Sequence, residues 1–376
     1  MRIMYISRRF EENICATMHY RSIKAIFGEE NVITVDLSMV SKRSGKNIIT
    51  YQSPTILGKM IQRLAFYPRW LTRRIIKDIS DKIKQLGIEK VYIDEGFFGI
   101  LTRHIKRIYP NIIVVTFYHD ISKVLYTERL REKGIVYIYD YISVLRGERL
   151  NVKYSDYNLV LNDRDASLFL KCYKKKPEAY LPMGVAEPDL SDFCASEFKF
   201  ARDHGERYLV FIGTYYEPNL RGLRWFVDQV FVKVPQNFHL VVVGRNLEKL
   251  ASEYLNDRIH IIGGVNSLAP YYNNADIVVG PVLGGGGMKQ KTAEAFAYGR
   301  CFLGTRESIQ GYEKELMTKH NGHRVVFASD SPDELIQAVR EIEKNGLFDF
   351  IPELNCAYER YYSQKSLISV LRSILA

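Results

Sequence analysis

Short apolar runs alternate with amphipathic segments along most of the chain. In the first half, the apolar runs predict buried strands over Arg2–Ser7, Val32–Asp36, Lys90–Ile93, Ile112–Phe117, Tyr157–Leu161 and Ala179–Leu181. Segments with helical periodicity lie between them and include Leu57–Leu86, broken near Pro68, and Phe97–Ile108. Strands separated by helices form parallel sheets that are covered on both faces, so the pattern predicts an α/β fold.

The alternation stops once and then resumes. Pro188–Glu206 has weak periodicity and predicts a linker, and the strand–helix pattern restarts at Tyr208. A chain of 376 residues is also too long for one ordinary core. We therefore predict two Rossmann-like domains, a linker and a long C-terminal helix over Cys356–Leu375, with boundaries at residues 1–190, 191–206, 207–355 and 356–376.

The most informative segment follows the apolar strand that ends at Val279. Gly284–Gly287 are four consecutive glycines, and the helix after them carries Lys289 and Lys291 in its first turn and Glu294 one turn later. Glycines let the backbone approach a ligand closely, and a helix N-terminus presents unpaired N–H groups and the positive end of its dipole. The combination predicts a phosphate or pyrophosphate site. The alternative is a glycine-rich turn followed by a solvated basic helix start.

This segment resembles the donor-binding signature of a known enzyme family. The pattern Gly-Gly-Gly-x-Lys-x-Lys-x-x-Glu-Ala-x-Ala-x-Gly, which begins at Gly285, is similar to that of GT-B glycosyltransferases, above all the retaining family 4 and its relatives. The resemblance implies that the glycines and a lysine hold the donor diphosphate and that the glutamate binds the ribose. The predicted donor residues of this segment are Gly285, Gly286, Gly287, Met288, Lys289, Lys291 and Glu294, of which Lys291 is also predicted to be catalytic.

The resemblance also implies an overall architecture. Two doubly wound parallel-sheet domains would face each other across a cleft, with ligands at the carboxyl ends of the strands. The last helix would cross back to the first domain. The sequence departs from the family at one position, because Gly286 stands where retaining members often carry a glutamate. The phosphate-loop pattern G-x-x-x-x-G-K-[ST] and the G-x-G-x-x-G of NAD enzymes are both missing from the sequence.

Two further strand ends in the second domain carry candidate donor contacts. Gly213 ends the first strand of this domain, and Thr214 stands where many relatives have arginine or serine. The resemblance assigns Arg221, at the start of the next helix, to the donor phosphates, with an exposed helix arginine as the alternative. Arg245 follows the next strand, where it could stack on the base or contact phosphate. Its alternative is a surface arginine after a tight turn.

Polar residues also follow strands of the first domain. His119 is predicted to act on the acceptor or to steady the sugar, and Asp120 to orient it or accept a proton. The alternative is that Asp120 caps the next helix with His119 packed behind it. Glu95 is a second carboxylate candidate. Arg8 and Arg9 occupy the first turn, where relatives usually have glycines, and they fit an acidic acceptor or a leaving phosphate.

The composition indicates the cellular compartment in which the protein works. No apolar run approaches the roughly 18–20 residues of a membrane helix, and the first residues become polar too soon for a signal peptide. The five cysteines are scattered and include no C-x-x-C pair. This pattern disfavours a disulfide framework or a zinc site and favours a reducing cytoplasm.

The positive charge is concentrated in the first half of the chain. Residues 1–195 hold 32 Lys and Arg against 22 Asp and Glu, whereas residues 196–376 hold 21 of each. The surplus predicts an anionic partner such as a phospholipid surface, a phosphorylated acceptor or nucleic acid, or it serves solubility alone. Leu57–Lys77 mixes aromatic, aliphatic and basic residues, which fits either an anionic membrane interface with Phe66 and Trp70 inserted or an ordinary domain helix.

These observations predict a glycosyltransferase that moves a sugar from a nucleotide diphosphate donor, most simply UDP or GDP, to a glycan or lipid-linked acceptor. We expect a cytoplasmic, metal-independent and, by resemblance, retaining enzyme of bacterial surface polysaccharide or glycolipid synthesis, associated with the inner membrane face. We expect no separate cofactor and no nucleic-acid partner, since no recognition module for nucleic acids appears. The alternatives are a nucleotide-sugar epimerase on the same fold and a catalytically silent scaffold that binds a polyanion.

Overall fold

The computed structural model describes residues 1–10, 14–39, 45–202, 204–254 and 256–375, without the side chains of Leu57 and Ile61. The chain divides into two compact units. The first unit comprises residues 1–182 together with 364–376, and the second comprises residues 183–363.

The first unit is built on a sheet of seven parallel strands in the order β3-β2-β1-β4-β5-β6-β7. The strands are β1 (Ile3–Ser7), β2 (Val32–Asp36), β3 (Ile48–Thr50), β4 (Lys90–Ile93), β5 (Ile113–Tyr118), β6 (Tyr157–Val160) and β7 (Ala179–Tyr180). The first unit's helices are α1 (Ile14–Phe27), α2 (Ile56–Leu64), α3 (Arg73–Gln85), α4 (Gly99–Ile108), α5 (Ser122–Lys133), α6 (Ile138–Tyr154), α7 (Asp163–Tyr173) and, from the chain's end, α13 (Gln364–Leu375).

The core of this unit follows from the alternation of apolar runs and amphipathic helices. On one face of the sheet, Ile6, Val35 and Ile93 belong to the same apolar cluster as Ile79 of α3 and Leu101 of α4. These side chains are almost completely buried, as expected for central strands of a parallel sheet. The strands are therefore fixed on both faces, and variable function is left to the loops at their ends.

The second unit has its own sheet of six parallel strands in the order β10-β9-β8-β11-β12-β15. The strands are β8 (Arg207–Ile212), β9 (Phe238–Val243), β10 (Ile259–Ile261), β11 (Ile277–Gly280), β12 (Cys301–Gly304) and β15 (Val326–Ala328), with a separate hairpin of β13 (Lys319–His320) and β14 (His323–Arg324). The helices are α8 (Glu217–Gln229), α9 (Ala269–Asn273), α10 (Gln290–Ala297), α11 (Pro332–Lys344) and α12 (Pro352–Tyr361).

Both sheets share one topology. In each of them the chain starts at an inner strand, adds two strands on one side and then crosses over to the other side. The crossover leaves a crevice between β1 and β4 in the first unit and between β8 and β11 in the second, where loops diverge and ligands bind. The predicted fold class, two doubly wound parallel-sheet domains, is confirmed.

Two predicted elements differ from the structure. The predicted helix over Cys356–Leu375 is interrupted between α12 and α13. At the interruption the Tyr362 carbonyl accepts a hydrogen bond from the Val185 amide at 2.9 Å, and the Tyr362 hydroxyl donates to Glu315 at 3.0 Å. These contacts hold Tyr362 within the second unit, whereas α13 contacts α1 of the first unit. The sequence pattern could not show the break, because both segments are amphipathic.

The segment predicted as a linker is packed against the second unit. Phe198 and Phe200 contact each other and Tyr208 at ring-centroid distances between 4.9 and 5.9 Å. Arg202 pairs with Asp276 at 3.0 Å. The weak periodicity of this segment therefore reflects irregular but anchored backbone.

Candidate functional site

The glycine loop joins β11 to α10 at the crevice of the second sheet. Gly285 and Gly287 have positive φ angles of 132° and 64°, which favour glycine. The ammonium of Lys289 donates to the carbonyls of Gly286 at 3.0 Å and Gly287 at 3.2 Å, and it pairs with Glu307 at 2.7 Å. Lys289 was predicted to contact the donor. In the structure its ammonium group stabilises the glycine loop through these contacts.

Lys291 lies one residue into α10 and is buried. Its Nζ lies 3.3 Å from Oδ1 of Asn219 and 4.1 Å from the centroid of the Phe211 ring. Burial lowers the pKa of Lys291 to about 7, and neighbouring Lys289 lowers it as well, against the opposing effect of Glu294. Among the described residues no carboxylate forms a salt bridge with Lys291. A buried, weakly compensated ammonium favours an anionic ligand.

Glu294 is held in place one turn further along the helix. Its carboxylate accepts hydrogen bonds from the Tyr272 hydroxyl and the Gln290 amide, each at 2.6 Å. Tyr272 stacks on Tyr298 with ring centroids 4.8 Å apart. Burial raises the pKa of Glu294. An oriented carboxylate with part of its surface exposed suits a ligand hydroxyl.

Close backbone packing brings the other strand ends to the same edge of the sheet. A Cβ atom at Gly244 would lie 1.6 Å from the Gly213 carbonyl oxygen, and one at Gly222 would lie 1.5 Å from the Pro281 carbonyl oxygen. The loops after β8, β9 and β11 therefore meet because these positions lack side chains. Met288, in the glycine loop, is buried.

The remaining predicted donor residues are exposed. Thr214, Arg221 and Arg245 all have solvent-accessible side chains around this edge. Arg221 lies on α8, but it is Asn219, two residues earlier, that contacts Lys291. Sequence reasoning missed Asn219, Tyr272 and Gln290. Only Gln290 lies within the recognised motif, and the other two are distant in sequence.

Arg8, Arg9 and Glu95 come together at the crevice of the first sheet. Both arginine Nε atoms lie near Oε1 of Glu95, at 2.8 Å for Arg8 and 2.9 Å for Arg9. Arg8 also lies over the Trp70 ring, 4.2 Å from its centroid. Burial lowers the pKa of Arg8, whereas Glu95 and Asp120 outweigh burial and raise that of Arg9. Two guanidinium groups thus share the buried carboxylate of Glu95, and the carboxylate of Asp120 acts on Arg9 as well.

Beside this group lies a buried network around Asp94, the residue before Glu95. Asp94 Oδ1 lies 3.0 Å from Nδ1 of His19 and 3.3 Å from Nε2 of His119, and Oδ2 accepts from the Tyr5 hydroxyl at 2.9 Å. Burial would raise the pKa of Asp94, but the two histidines hold it well below its usual range. Burial would lower the pKa of both histidines. Cys15 and Asp94 nevertheless raise the pKa of His19 to about 9, and Asp94 and Cys15 raise the pKa of His119 well above its usual value.

The side chains of His119 and Asp120, which were predicted to act as a pair, lie in different surroundings. His119 is buried against Asp94, and Asp120 is half-buried near Arg9. Asp120 is not the cap of α5, because Glu148 of α6 accepts from the amides of Ser122 at 2.7 Å and Lys123 at 2.9 Å. His19 of α1 and Tyr5 of β1 were both missed, because nothing in the pattern of either element indicated a polar contact.

The part of the chain that the structure describes lacks two general features, a metal site and a membrane-spanning helix. No group of three or more His, Cys, Asp or Glu residues there is arranged to hold a metal ion. None of the described helices has both the length and the hydrophobicity needed to cross a membrane.

Comparison with known proteins gives the family of the second unit. Residues 206–345 match the family model of "Glycosyl transferases group 1", a range that contains the glycine loop and α10. A comparison with curated protein sequences finds no significant match.

Solved structures give the fold of the whole chain. HepE from Anabaena, solved in complex with UDP and glucose, is similar with a TM-score of 0.70 at 11% identity, over 100% of this chain and 99% of that one. The lipopolysaccharide outer core galactosyltransferase WaaB has a TM-score of 0.68 at 11% identity, over 100% and 99%. A UDP-forming α,α-trehalose-phosphate synthase from Burkholderia vietnamiensis has a TM-score of 0.63 at 11% identity, over 99% of each chain.

The chain therefore has the GT-B fold of these solved structures. Within that fold, residues 206–345 of the second unit match a group 1 glycosyltransferase domain.

Proposed function

We propose that this chain transfers a sugar from UDP-sugar to a hydroxyl group of a glycan or lipid-linked acceptor, with retention at the sugar and without a catalytic metal. The setting that we propose is the cytoplasmic synthesis of a bacterial surface polysaccharide or glycolipid. The observation that carries the proposal is the buried ammonium of Lys291 beside the glycine loop. The complex of HepE with UDP-glucose supports UDP as the nucleotide.

The chemistry follows from the charge that develops on the leaving group. When the bond between sugar and diphosphate breaks, negative charge grows on the diphosphate oxygen. A protonated Lys291, the amides of the glycine loop and the N-terminus of α10 would stabilise that charge in a partly desolvated place. These fixed groups take the part that a divalent cation plays in other enzymes, which is why we propose a metal-independent reaction.

Glu294 would bind the donor ribose. Its carboxylate already accepts two hydrogen bonds, from Tyr272 and Gln290, that fix its orientation. An oriented carboxylate can accept hydrogen bonds from the two ribose hydroxyls without reorganising. Arg221 and Arg245 would contact the phosphates or the base from the exposed rim.

The first unit would bind the acceptor. Arg8 and Arg9 would offer their guanidinium groups to an acidic or phosphorylated acceptor. His119, whose pKa is raised by Asp94, would donate a hydrogen bond rather than act as a base. Asp120 would then be the group that receives the acceptor proton. The positive surplus of residues 1–195 supports an association with an anionic membrane.

UDP binding by isothermal titration calorimetry tests the donor site. Below pH 7 Lys291 is largely protonated, whereas above pH 7 it must take up a proton when the diphosphate binds. We therefore expect the affinity for UDP to fall between pH 7 and pH 9. Lys291→Arg, which stays charged, should lose this dependence, and Lys291→Ala should bind UDP roughly tenfold more weakly or worse.

Exposed Lys233 provides the matched control, and Lys233→Ala should bind like the wild type. UDP release from UDP-sugars in the presence of EDTA, with the anomer of the product read by NMR, tests transfer, metal independence and retention. Equal UDP affinity of wild type and Lys291→Ala would refute the assigned donor site. A folded protein that binds no nucleotide would favour the silent polyanion-binding scaffold.

A further inference from the structure

The first unit exposes an apolar stripe along α2. Ile56, Met60 and Leu64 are 80%, 58% and 81% exposed. They are spaced four residues apart, so they share one side of the helix. Single exposed apolar residues are common on protein surfaces, but an ordered row of large ones marks an interaction surface.

A second apolar group lies at the connection between α5 and α6. Ile135 and Val136 are each 80% exposed. Tyr139, in the first turn of α6, lines a cavity of about 410 Å³ together with Ile56 and Met60 of α2. The first turn of α6, which directly follows this connection, therefore borders the same groove as the stripe. We call the stripe together with Ile135 and Val136 the apolar face.

The groove and its neighbouring cavity are basic. Lys59, Arg63 and Arg69 line the groove. The Tyr139 hydroxyl donates to the Tyr67 carbonyl, and Tyr67 in turn lines a second cavity of about 280 Å³. Three arginines and a histidine also line that second cavity, namely Arg73, Arg103, Arg107 and His104. Among the described residues that line these two cavities there is no aspartate or glutamate.

Two arginines, Arg73 and Arg74, lie where the fold alone disfavours a cation, and Arg73 is the one that lines the second cavity. Arg73 begins α3, and the positive end of the helix dipole repels a cation in the first turn. An anion bound at this cavity would compensate for that repulsion. Arg69 is already compensated, because it pairs with Asp140 at 2.6 Å.

We propose that the apolar face, with the basic cavities beside it, is a docking surface for an anionic phospholipid bilayer. The exposed side chains of α2 and of the α5–α6 connection enter the boundary of the acyl chains, while the arginines neutralise headgroup phosphates. Charge complementarity selects this partner, since the lining groups are cationic and the apolar side chains protrude. The proposal deepens the membrane association proposed above and is independent of the donor site.

Sedimentation of the full chain with vesicles tests the docking surface. We expect binding to vesicles of phosphatidylcholine with 30% phosphatidylglycerol and much weaker binding to phosphatidylcholine alone. The double change Ile135→Ser with Val136→Ser should weaken binding about tenfold or more. Arg103→Ala with Arg107→Ala should weaken it by about 25-fold, since each of the two cations near an anionic surface contributes a factor of about five.

Two controls match these variants. Met317→Ser removes a side chain of the second unit that is 78% exposed, and Lys233→Ala with Lys344→Ala removes two exposed charges from the same unit. Both should bind vesicles like the wild type. UDP affinity should be unchanged in every variant, so a failure of the donor site and a failure of the docking surface are distinguishable.

Equal binding to both kinds of vesicle, or unchanged binding of the apolar and basic variants, would overturn the proposal. Analytical ultracentrifugation gives the other decisive result. A dimer that the change at Ile135 and Val136 dissociates, together with no vesicle binding, would assign the apolar face to a second copy of the chain.

Discussion

At the scale of single residues, the two units surround their buried charges differently. In the second unit, the Lys291 ammonium contacts an amide oxygen and an aromatic ring but forms no salt bridge with any carboxylate among the described residues. In the first unit, Asp94 is surrounded by His19, His119 and Tyr5. A charge with few partners is poised to bind a ligand, whereas a fully surrounded charge fixes the groups around it.

The Asp94 network makes a definite prediction about stability and pH. The histidine pKa values are raised, so their contribution is complete below pH 6.5 and is lost as pH rises through about 9, the value for His19. The Asp94 pKa is lowered, so its contribution is lost only below about pH 4. Asp94→Asn should therefore destabilise the first unit by about 3–5 kcal/mol near pH 5.5 and by less at pH 9.

Trp70 lies in the first unit and Trp225 in the second, and the chain has no other tryptophan. Urea unfolding in a Trp225→Phe background, followed by Trp70 fluorescence at both pH values, therefore reports the first unit. Asp81→Asn changes an exposed carboxylate of the same unit and should shift stability by less than about 0.5 kcal/mol. An equal loss at pH 5.5 and pH 9 would contradict the assigned role of charge.

The residue types in the sequence predicted part of the candidate site. The glycines, Lys291 and Glu294 could be recognised because they are contiguous and their chemistry is local to a helix N-terminus. His19, Asn219 and Tyr272 could not, because each reaches its partner across the fold. The assignment of ligand roles to the recognised residues stays a prediction.

At the scale of elements, the glycines that matter most are those where backbones meet. Gly222 sets the distance between α8 and the loop after β11, because a Cβ there would lie 1.5 Å from the Pro281 carbonyl oxygen. Asn219, which contacts Lys291, lies one turn earlier on the same helix. The position of α8 is thus coupled to the surroundings of the buried lysine.

Gly222→Ala tests this coupling. The added methyl group must push α8 away from the loop, so we expect a loss of about 1–3 kcal/mol in the stability of the second unit and weaker UDP binding. Thermal unfolding and calorimetry measure the two effects. Gly264→Ala is the matched control, because its Cβ would meet its nearest neighbour at an ordinary 3.7 Å. A Gly222→Ala protein as stable as the control would show that α8 is free to shift.

Hydrophobic periodicity predicted the elements well where each buries its own face. It predicted the parallel strands of the first sheet except the three-residue β3, and the predicted restart of the pattern at Tyr208 falls within β8. The long pattern around Pro68 became α2 and α3. It failed at Tyr362, where hydrogen bonds to Val185 and Glu315 interrupt two amphipathic helices. Such a break depends on partners that are distant in sequence, and no local pattern contains them.

At the scale of the whole molecule, the chain forms two sheets of one topology, and its last residues then belong to the first unit again. Apart from the seventh strand of the first sheet, both sheets have the same strand order, so each unit has a crevice at the point where that order reverses. Open α/β sheets bind their ligands in such crevices. The second unit is one continuous segment, but the first needs the end of the chain. This arrangement ties the completion of the first unit to the last helix.

Deletion of residues 364–376 tests that dependence. The helix α13 contacts α1 and fully buries Leu367, Leu371 and Leu375, each worth about 1.5–3 kcal/mol. Lys90 also donates a hydrogen bond to the Leu375 carbonyl. The summed loss approaches the whole stability of a typical domain, so the first unit should unfold.

The second unit contains none of these residues and should keep its own transition and its affinity for UDP. Trp70 fluorescence in a Trp225→Phe background follows the first unit, and Trp225 fluorescence in a Trp70→Phe background follows the second. Leu371→Ala, with an expected loss of about 2–5 kcal/mol, should shift only the Trp70 transition. If the deletion shifted both transitions equally, the two units would be coupled in folding, and donor binding could not be assigned to the second unit alone.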